Sequence, residues 1–445
     1  MAKGRKQNAF KKRELLVTPE IHILPIHRER RSPGPLFDYL LLQFILLMNP
    51  HLQRLYELAQ APTRRIVGLM SGTSLDGLDV ALCRISGSGP ATQVTLDAFT
   101  TVPYDERLKA YIRTIFAKDQ IEFETLCLLN PYIGRLHGQL ILDCLRSWNV
   151  SPDDIDLIAS HGQTVFHAPK RQHGRPEFPN ATLQIGDGDH VAVTTGIITL
   201  SDFRQKHIAA GGEGAPLAVY GDYFMFSQAG ENRILLNMGG IANFTYLPAD
   251  EDASAVFTTD TGPGNTLLDA CARQFLGQPF DADGQLALSG QANEPLLNAL
   301  RDNPFFDAPF PKTTGPEVFG DTYVASAIQR SQCQSISPAD RMATLVQFSA
   351  DTITEAIRRV LRPGELYVVY MSGGGMHNPA LTRAIQAQLP QCRFARTDEL
   401  GISGDAKEAV LFAALANECV MGSTTSFGSR EGVPTVSMGK ISLPA

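Results

Sequence analysis

Short turns rich in glycine and hydroxyl side chains are the first stretches of this chain that could do chemistry. Residues 66–83 have the pattern of strand, tight turn and strand, with Ser71, Thr73, Ser74 and several glycines at the turn. Glycine lets a ligand approach the backbone closely, and free N–H and O–H groups at a turn can hold a phosphate. Ordinary hairpins use the same residue types, so this turn alone favours phosphate binding and a simple polar hairpin equally.

Similar turns follow predicted strands in the second half of the chain. They are LNMGGIAN (236–243), DTGPGN (260–265) and SGGGMHNP (372–379). The two hairpin turns could face one phosphate chain from opposite halves of the protein. The triple glycine at the start of a helix could lie against a base or ribose, where the helix dipole also favours anions. The sequence lacks G-x-x-x-x-G-K-[ST], so a P-loop is excluded as the route to a nucleotide.

Polar residues also follow two predicted buried strands of the first half. ASHGQTVFH (159–167) follows the strand 155–160, and SDFR (201–204) follows the strand 197–200. Ligands of open α/β sheets bind beyond the carboxyl ends of the strands. By position alone, Asp202 is either a catalytic carboxylate or a cap of the next turn, and Asp76 is either a metal ligand or part of an Asp-Gly turn.

Composition narrows the function classes. The 445 residues are 43% hydrophobic and 19% charged, with a formal net charge of −7, which indicates a globular protein and argues against general nucleic-acid binding. The seven cysteines form no C-x-x-C pair, so neither a disulfide framework nor a zinc site is indicated. A reducing, cytoplasmic location is therefore expected.

The N-terminal region differs from the rest of the chain. Residues 1–60 carry ten Lys and Arg against five Asp and Glu, and the apolar run 36–48 spans 13 residues. A bilayer span needs roughly 20. A basic start and an apolar run can mimic a signal peptide, but no small-residue cleavage site follows. We interpret residues 1–60 as a disordered or loosely attached extension, with Met48 as a candidate natural start.

The elements that must position these motifs alternate between strands and helices. Helical spacing is predicted for residues 106–116, 122–148, 343–360 and 408–421, and the segment 303–320 is Pro-rich. The strand–turn–strand pattern at residues 66–83 recurs from residue 233 onward, which indicates a duplication of whole halves.

Together the motifs resemble those of the anhydro-N-acetylmuramic acid kinase family, within the actin, Hsp70 and sugar-kinase superfamily. The resemblance rests on the motifs above together with GLMSGTSLDGLDVAL (68–82), LQIGDG (183–188), AAGGEGAPL (209–217) and GISGDAKEA (401–409). It implies an α/β fold of two ribonuclease H-like domains, each a mixed five-stranded sheet with flanking helices and an ATP cleft between them. We expect domain I at residues 62–205, domain II at 206–424, and a C-terminal segment, 425–445, that returns to domain I.

The resemblance also implies roles for residues. The family reaction opens a 1,6-anhydro sugar with water and transfers a phosphoryl group from ATP to O6, with Mg²⁺. Asp202 is the expected catalytic base, Asp76 and Asp260 the expected magnesium ligands, and Arg204 a partner of Asp202 or of the sugar carboxylate. The expected ATP-binding residues are Gly72, Thr73, Ser74, Leu75, Asp76, Gly77, Leu78, Asp79, Gly239, Gly240, Gly262, Gly264, Gly373, Gly374 and Gly375. The expected sugar-binding residues are His161, Gln163, Thr164, His167 and Arg204.

Two other readings remain open from the sequence. The protein could be another small-molecule kinase of the same fold, or a nucleotide-switched binding protein like actin or Hsp70. The expected partners are ATP and a small sugar, without nucleic acid or membrane, and a homodimer is common in the resembled family.

Overall fold

The motifs lie on two β-sheets that share one arrangement. The computed structural model describes residues 48–422, 425–428 and 432–445, and residues Pro50–Ala445 form one contact unit. The extension predicted for residues 1–60 lies mostly outside the described residues. Its last part, Pro50–Gln60, is a helix whose Leu58 is buried in the core.

The helices and strands alternate along the chain. The first half contains α1 (Pro50–Gln60), β1 (Thr63–Ser71), β2 (Gly77–Ser86), β3 (Gln93–Pro103), α2 (Glu106–Ile115), α3 (Phe123–Ser147), β4 (Leu157–Ala168), α4 (Lys170–His173), β5 (Ala181–Ile185), α5 (Gly188–Thr195), β6 (Thr199–Ser201), α6 (Phe203–Ala209) and α7 (Ala218–Phe226). The second half contains β7 (Asn232–Met238), β8 (Ile241–Leu247), β9 (Phe257–Pro263), α8 (Thr266–Leu276), α9 (Gln285–Leu288), α10 (Glu294–Arg301), α11 (Asp321–Arg330), α12 (Pro338–Arg358), β10 (Tyr367–Ser372), α13 (Pro379–Gln388), β11 (Cys392–Arg396), α14 (Lys407–Met421) and β12 (Lys440–Ser442).

Each sheet combines an antiparallel meander with parallel strands. In the first sheet, β1, β2 and β3 are antiparallel neighbours, while β4 and β6 run parallel to β1. In the second sheet, β7, β8 and β9 form the meander, and β10 and β11 run parallel to β7. The predicted two-sheet α/β architecture is confirmed. The first sheet has seven strands rather than five, because β5 pairs with β4 and the C-terminal β12 pairs with β6.

One expectation about strand length is wrong. The polar motif 159–167 was expected to follow a strand that ends at residue 160, but it lies inside β4, which runs to Ala168. The second half of β4 continues because β5 supplies its hydrogen bonds in antiparallel register. Polar residues of this motif are therefore held on a strand rather than on a free loop.

Helix α14 packs directly on the first sheet. Almost all of its residues from Ala409 to Glu418 are buried, as expected of a helix that is apolar on every side. Small side chains allow close packing, since a Cβ at Gly68 of β1 would lie 2.0 Å from the carbonyl oxygen of Ala409. Helix α12 similarly covers the second sheet, with Phe348 and Ile353 in its core. None of the helices in the described part of the chain is long and apolar enough to cross a bilayer.

A buried arginine ties α1 and α14 to β1. The side chain of Arg64 is fully buried, and its Nε donates to Asn417 Oδ1 at 2.7 Å. Its Nη1 donates to the carbonyl oxygens of Leu58 at 3.2 Å and Ala61 at 2.6 Å. Without the guanidinium, Asn417 Oδ1 and the Ala61 carbonyl oxygen would lose this donor, whereas the Leu58 carbonyl oxygen still accepts from the Ala61 N–H.

We predict that Arg64→Met lowers the free energy of unfolding by about 3 kcal/mol, because buried acceptors are left unpaired. Urea denaturation measures the change. Arg113→Met is the control, since Arg113 is exposed and only 3.7 Å from exposed Glu106, and it should change the value by less than about 0.5 kcal/mol. Equal losses in the two variants would contradict this account.

Candidate active site

A large cleft lies between the two sheets. Its volume is about 1050 Å³, which is ample for a nucleotide and a sugar together. The first half of the chain contributes Met70, His167 and Arg204, and the second half contributes residues of β7, β9 and β10. The start of α14 forms part of the lining through Lys407 and Glu408. Residues from both halves of the sequence therefore face one space.

Asp260 is a carboxylate of this cleft. It lies on β9 and is partly buried, and its Oδ2 accepts a hydrogen bond from the Thr314 backbone N–H at 2.8 Å. Its own N–H donates to the carbonyl oxygen of Lys312 at 2.9 Å. Burial raises the pKa of Asp260, and the bond from Thr314 partly offsets that rise. A partly buried carboxylate in a cleft is a candidate to bind a cation or to transfer a proton.

Asp202, the expected base, lines a second cavity of about 350 Å³ together with Ser160 and His161. It forms an ion pair with Lys440 of β12. Its backbone is left-handed, with φ of 55°, where the chain turns from β6 into α6. The next-but-one residue, Arg204, lines the large cleft and donates to His161. The two cavities therefore adjoin at this pair of side chains.

Arg204 is a buried cation that faces the cleft. Its Nε donates to His161 Nε2 at 2.9 Å, and its Nη1 donates to the Gly214 carbonyl oxygen at 2.7 Å. Burial lowers the pKa of Arg204 to about 10, so the guanidinium remains charged at neutral pH. It forms no ion pair with any carboxylate of the described residues. A guanidinium in this state is suited to bind an anionic ligand group.

His161 is a support for Arg204 rather than a free ligand group. Its Nδ1 bonds to the Gly162 carbonyl oxygen at 2.8 Å, and its ring lies 4.7 Å from that of Phe412. Burial and the neighbouring Arg204 charge lower its pKa to about 3, which keeps the ring neutral. Both ring nitrogens are therefore occupied by protein groups.

Gln163 is likewise used within the protein. Its Oε1 accepts from Ser71 Oγ at 2.6 Å, and its Nε2 donates to the carbonyl oxygens of Gly72 and Thr164. These bonds attach the β1–β2 turn to β4. Thr164 is paired with β5 and is absent from the cleft lining, whereas His167 lines the cleft. Of the four predicted sugar-binding residues on β4, only His167 reaches the cleft.

The β1–β2 hairpin lies beside the cleft. Thr73, Ser74 and Asp76 are exposed at the turn, with Gly72 and Gly77 on either side, while Leu75 and Leu78 are buried in the core. Asp79 accepts a hydrogen bond from Thr101, and burial, Asp405 and Asp76 raise its pKa. Asp405 lines the cleft, so these carboxylates lie at its edge. Within the described residues, no group of three or more His, Cys, Asp or Glu side chains could hold a metal ion.

The glycine turns of the second half meet in space. The N–H groups of Gly264 and Asn265 donate to the carbonyl oxygens of Gly240 and Gly239, each at 2.8 Å. A Cβ at Gly373 would lie 2.8 Å from the carbonyl oxygen of Met238. Gly262 and Gly373 have positive φ, which favours glycine. The predicted convergence of these turns is seen, and Gly373 lines the cleft.

Three cleft residues had not been singled out from the sequence. Lys312 lies in the Pro-rich segment, and its backbone N–H donates to Thr259 of β9, which is 53 positions earlier in the chain. Lys407 pairs with buried Asp222 at 2.8 Å. Glu408, within GISGDAKEA, is exposed to the cleft, and desolvation inside the cleft raises its pKa. The only sequence signal for them was the motif that contains Lys407 and Glu408.

The sequence of this chain is similar to that of proteins with one shared name. A family model described as anhydro-N-acetylmuramic acid kinase matches residues 64–441. A relative of that name from Pseudoalteromonas atlantica is 55% identical over 400 residues, which cover 89% of this chain and 100% of the relative. Another from Caldanaerobacter subterraneus is 38% identical over 396 residues, 88% of this chain and 100% of the relative. Among solved structures, a dehydratase activator from Clostridium difficile aligns at a TM-score of 0.35 with 13% identity, over 80% of this chain and 96% of that chain.

We predict that Asp260→Asn raises the thermal stability at neutral pH. The folded-state pKa of Asp260 is raised, so the protonated carboxyl is the form that burial favours, and ionisation above that pKa destabilises the fold. A neutral amide avoids this loss. The gain in Tm should shrink as the pH falls toward the unfolded value of about 3.9.

Differential scanning calorimetry at several pH values measures this difference. Asp307→Asn is the control. Asp307 is an exposed aspartate of the segment 303–320, so its substitution should leave Tm unchanged. A lower Tm for Asp260→Asn at neutral pH would show that the ionised carboxylate stabilises the fold.

Proposed function

The chain belongs to the anhydro-N-acetylmuramic acid kinase family, and on that premise we propose its reaction and the residues that carry it. The proposed reaction opens the 1,6-anhydro ring of anhydro-N-acetylmuramic acid and phosphorylates O6, which gives N-acetylmuramic acid 6-phosphate, as in recycling of cell-wall peptidoglycan. The observation that carries the proposal is the single cleft in which Asp260, Arg204 and the glycine turns face one space.

Asp202 is the proposed general base. It lies just past β6 in a cavity that it shares with His161, and His161 accepts a hydrogen bond from Arg204 of the large cleft. Asp202 takes a proton from water as the water oxygen bonds to the anomeric carbon. The C1–O6 bond breaks, O6 bonds to the γ-phosphorus of ATP, and ADP leaves. The sum is sugar, water and ATP to sugar phosphate, ADP and one proton, which Asp202 releases afterwards.

The glycine turns are the proposed phosphate and nucleoside sites. Backbone N–H groups near Gly239, Gly240 and Gly373 can approach phosphate oxygens because no side chain intervenes. Gly374 and Gly375 extend that surface toward the nucleoside. The β1–β2 turn, from Gly72 to Asp79, would complete the site from the first half. Closure of the cleft is required for that contact, as is common in kinases.

The residues at the cleft edge fit Mg²⁺. Magnesium keeps several waters and takes only one or two carboxylates, so it does not need a cluster of three protein ligands. Burial is the main cause that raises the pKa of Asp79, and the charges of Asp405 and Asp76 act in the same direction, so a cation here would relieve repulsion between carboxylates. Asp76 and Asp260 are the proposed partners of Mg²⁺, directly or through water. When bound, Mg²⁺ neutralises charge on the transferred phosphoryl group.

Arg204 is the proposed partner of the sugar's lactyl carboxylate. Its guanidinium is fixed by His161 and Gly214, and it has no carboxylate partner among the described residues. Fixed orientation lowers the entropy lost on binding. His167 lines the same end of the cleft and is proposed to bind sugar hydroxyl groups. A cytoplasmic homodimer without nucleic-acid or membrane partners remains the prediction for the whole protein.

We predict that Asp202→Asn lowers kcat by about 10³-fold while ATP still binds, since a general base contributes about 10²- to 10⁴-fold. Asp307→Asn is the control, because Asp307 is exposed and lines neither cavity. The assay incubates purified protein with Mg-ATP and the anhydro sugar, and mass spectrometry checks that the product gains one phosphate and one water. Wild-type turnover of Asp202→Asn would remove Asp202 from this role. A product from ordinary hexoses but none from the anhydro sugar would favour another sugar kinase.

We predict that Gly239→Val and Gly374→Val weaken ATP binding by about tenfold or more without unfolding the protein. Neither position has a positive φ, and a Cβ at either one would lie no closer than 3.5 Å to any protein atom beyond its chain neighbours. The side chain would therefore enter the space proposed for the nucleotide. Isothermal titration with a non-hydrolysable ATP analogue measures the affinity. Ala110→Val, at an exposed position of α2 outside the cleft lining, is the control, and wild-type affinity in the two test variants would refute the placement.

A further inference from the structure

A network of buried, hydrogen-bonded side chains lies behind the β1–β2 turn. Its members are His137 of α3, Tyr104 just after β3, Ser71 at the end of β1 and Gln163 of β4, and all four are buried. Tyr104 Oη lies 2.7 Å from His137 Nε2 and 2.8 Å from Ser71 Oγ. Ser71 Oγ lies 2.6 Å from Gln163 Oε1. Four separate parts of the first half therefore meet in one polar network.

The direction of each hydrogen bond in this network follows from a count of donors. The amide nitrogen of Gln163 donates to the Gly72 carbonyl oxygen at 2.9 Å, so Gln163 Oε1 faces Ser71 and must accept. The one hydroxyl proton of Ser71 is used there, and Ser71 Oγ accepts the proton of Tyr104. His137 Nε2 must then be the donor to Tyr104 Oη. Burial lowers the pKa of His137 to about 4, which keeps the ring neutral.

The other ring nitrogen of His137 has no hydrogen-bond partner among the described residues. A buried polar atom without a partner costs free energy. An apolar side chain would fill the same place without that cost. Packing alone therefore does not account for this histidine, whereas the bond from its Nε2–H to Tyr104 does.

The network ends on the backbone of the β1–β2 turn. Gln163 holds the carbonyl oxygen of Gly72. The backbone N–H of Tyr104 donates to the carbonyl oxygen of Asp76 at 3.1 Å, while the hydroxyl group of the same residue is bonded to Ser71. Tyr104 thus spans the turn from Ser71, where the turn begins, to Asp76, where it ends.

We propose that Tyr104 is a positioning residue for the triphosphate, in which its hydroxyl group and its backbone N–H hold the β1–β2 turn in the shape that presents the N–H and O–H groups of the turn to the phosphates. This inference rests on the proposed phosphate-binding role of that turn. Tyr104 acts from behind, since it is buried and absent from the cleft lining. A turn that is held before the nucleotide binds loses less entropy on binding.

The experiment measures binding of a non-hydrolysable ATP analogue with Mg²⁺ by isothermal titration, and then binding of adenosine. Tyr104→Phe removes only the hydroxyl oxygen and should weaken binding of the ATP analogue by about tenfold, the effect of about one hydrogen bond. Adenosine carries no phosphate, so its affinity should stay within about twofold of the wild type. A general loss of structure would instead weaken both ligands.

Tyr223→Phe is the matched control. Tyr223 of α7 is also buried, and its hydroxyl group donates to the Glu251 carbonyl oxygen at 2.9 Å, outside both the network and the cleft lining. This variant loses a buried hydrogen bond of the same kind as Tyr104→Phe does. Its affinities for the ATP analogue and for adenosine should both match the wild type.

A double-mutant cycle tests whether the Tyr104 hydroxyl group acts through Ser71, and it keeps the test independent of the folding of Tyr104→Phe. Ser71→Ala removes the acceptor of the same bond and should weaken binding of the ATP analogue to a similar extent. The double variant should bind no more weakly than either single variant, because both remove one bond. Wild-type affinity in Tyr104→Phe, an equal loss of affinity for adenosine, or additive losses in the double variant overturns the positioning role.

Gly72→Val separates this failure from a failure of the proposed function. Gly72 has no positive φ, and a Cβ there would meet only Met70 Cε, at 3.7 Å, so the added side chain would enter the space proposed for the phosphates. Wild-type affinity of Gly72→Val for the ATP analogue would refute the phosphate-binding role of the turn and the inference with it. Weak binding by Gly72→Val together with wild-type affinity in Tyr104→Phe would refute the positioning role alone.

Discussion

The placement of one carboxylate, Asp202, is the constraint on which the proposed chemistry depends. A general base must hold its carboxylate within hydrogen-bond reach of the water that it activates. Asp202 lies where β6 turns into α6 with a left-handed backbone, and Lys440 of β12 forms an ion pair with it. The C-terminal strand therefore helps to fix this side chain in the cavity that adjoins the large cleft.

The rest of the cleft follows from the need to bring water, sugar and triphosphate to that carboxylate. Two sheets of similar topology supply the walls, and β9 carries Asp260 at the edge of the second sheet. Arg204 comes from the first half of the chain, where buried His161 fixes its orientation. Close packing of α14 on β1 at Gly68 makes the first half a firm support for these groups. Each contribution comes from a different part of the sequence.

The sequence predicted the fold because the fold depends on local patterns. Strand–turn–strand patterns and their repetition identify two equivalent sheets, and glycines at 264 and 373 mark close backbone contacts. The surroundings of Asp202 show where such reasoning stops. A residue beyond a buried strand lies at the correct edge of the sheet, but no local pattern shows that Asp202 pairs with Lys440 near the end of the chain. Nor does a local pattern show that Asp202 and Arg204 line adjoining cavities.

Lys312 and the length of β4 could not be predicted for a related reason. Strand β4 continues beyond His161 because its residues from Gln163 to Ala168 pair with β5. Strand β5 lies about 20 residues later in the chain. Lys312 meets β9 across a Pro-rich segment that has no periodic pattern. Both features depend on contacts between segments that are distant in sequence, which single-sequence patterns do not encode.

The central claim is that the Asp202 carboxylate activates the water that opens the anhydro ring. Chemical rescue of Asp202→Gly tests this claim most directly, because glycine adopts the left-handed backbone of this position and leaves space for a small carboxylate. The account predicts that Asp202→Gly loses turnover of the anhydro sugar and that added formate restores part of it. Full turnover of Asp202→Gly without formate would contradict the account.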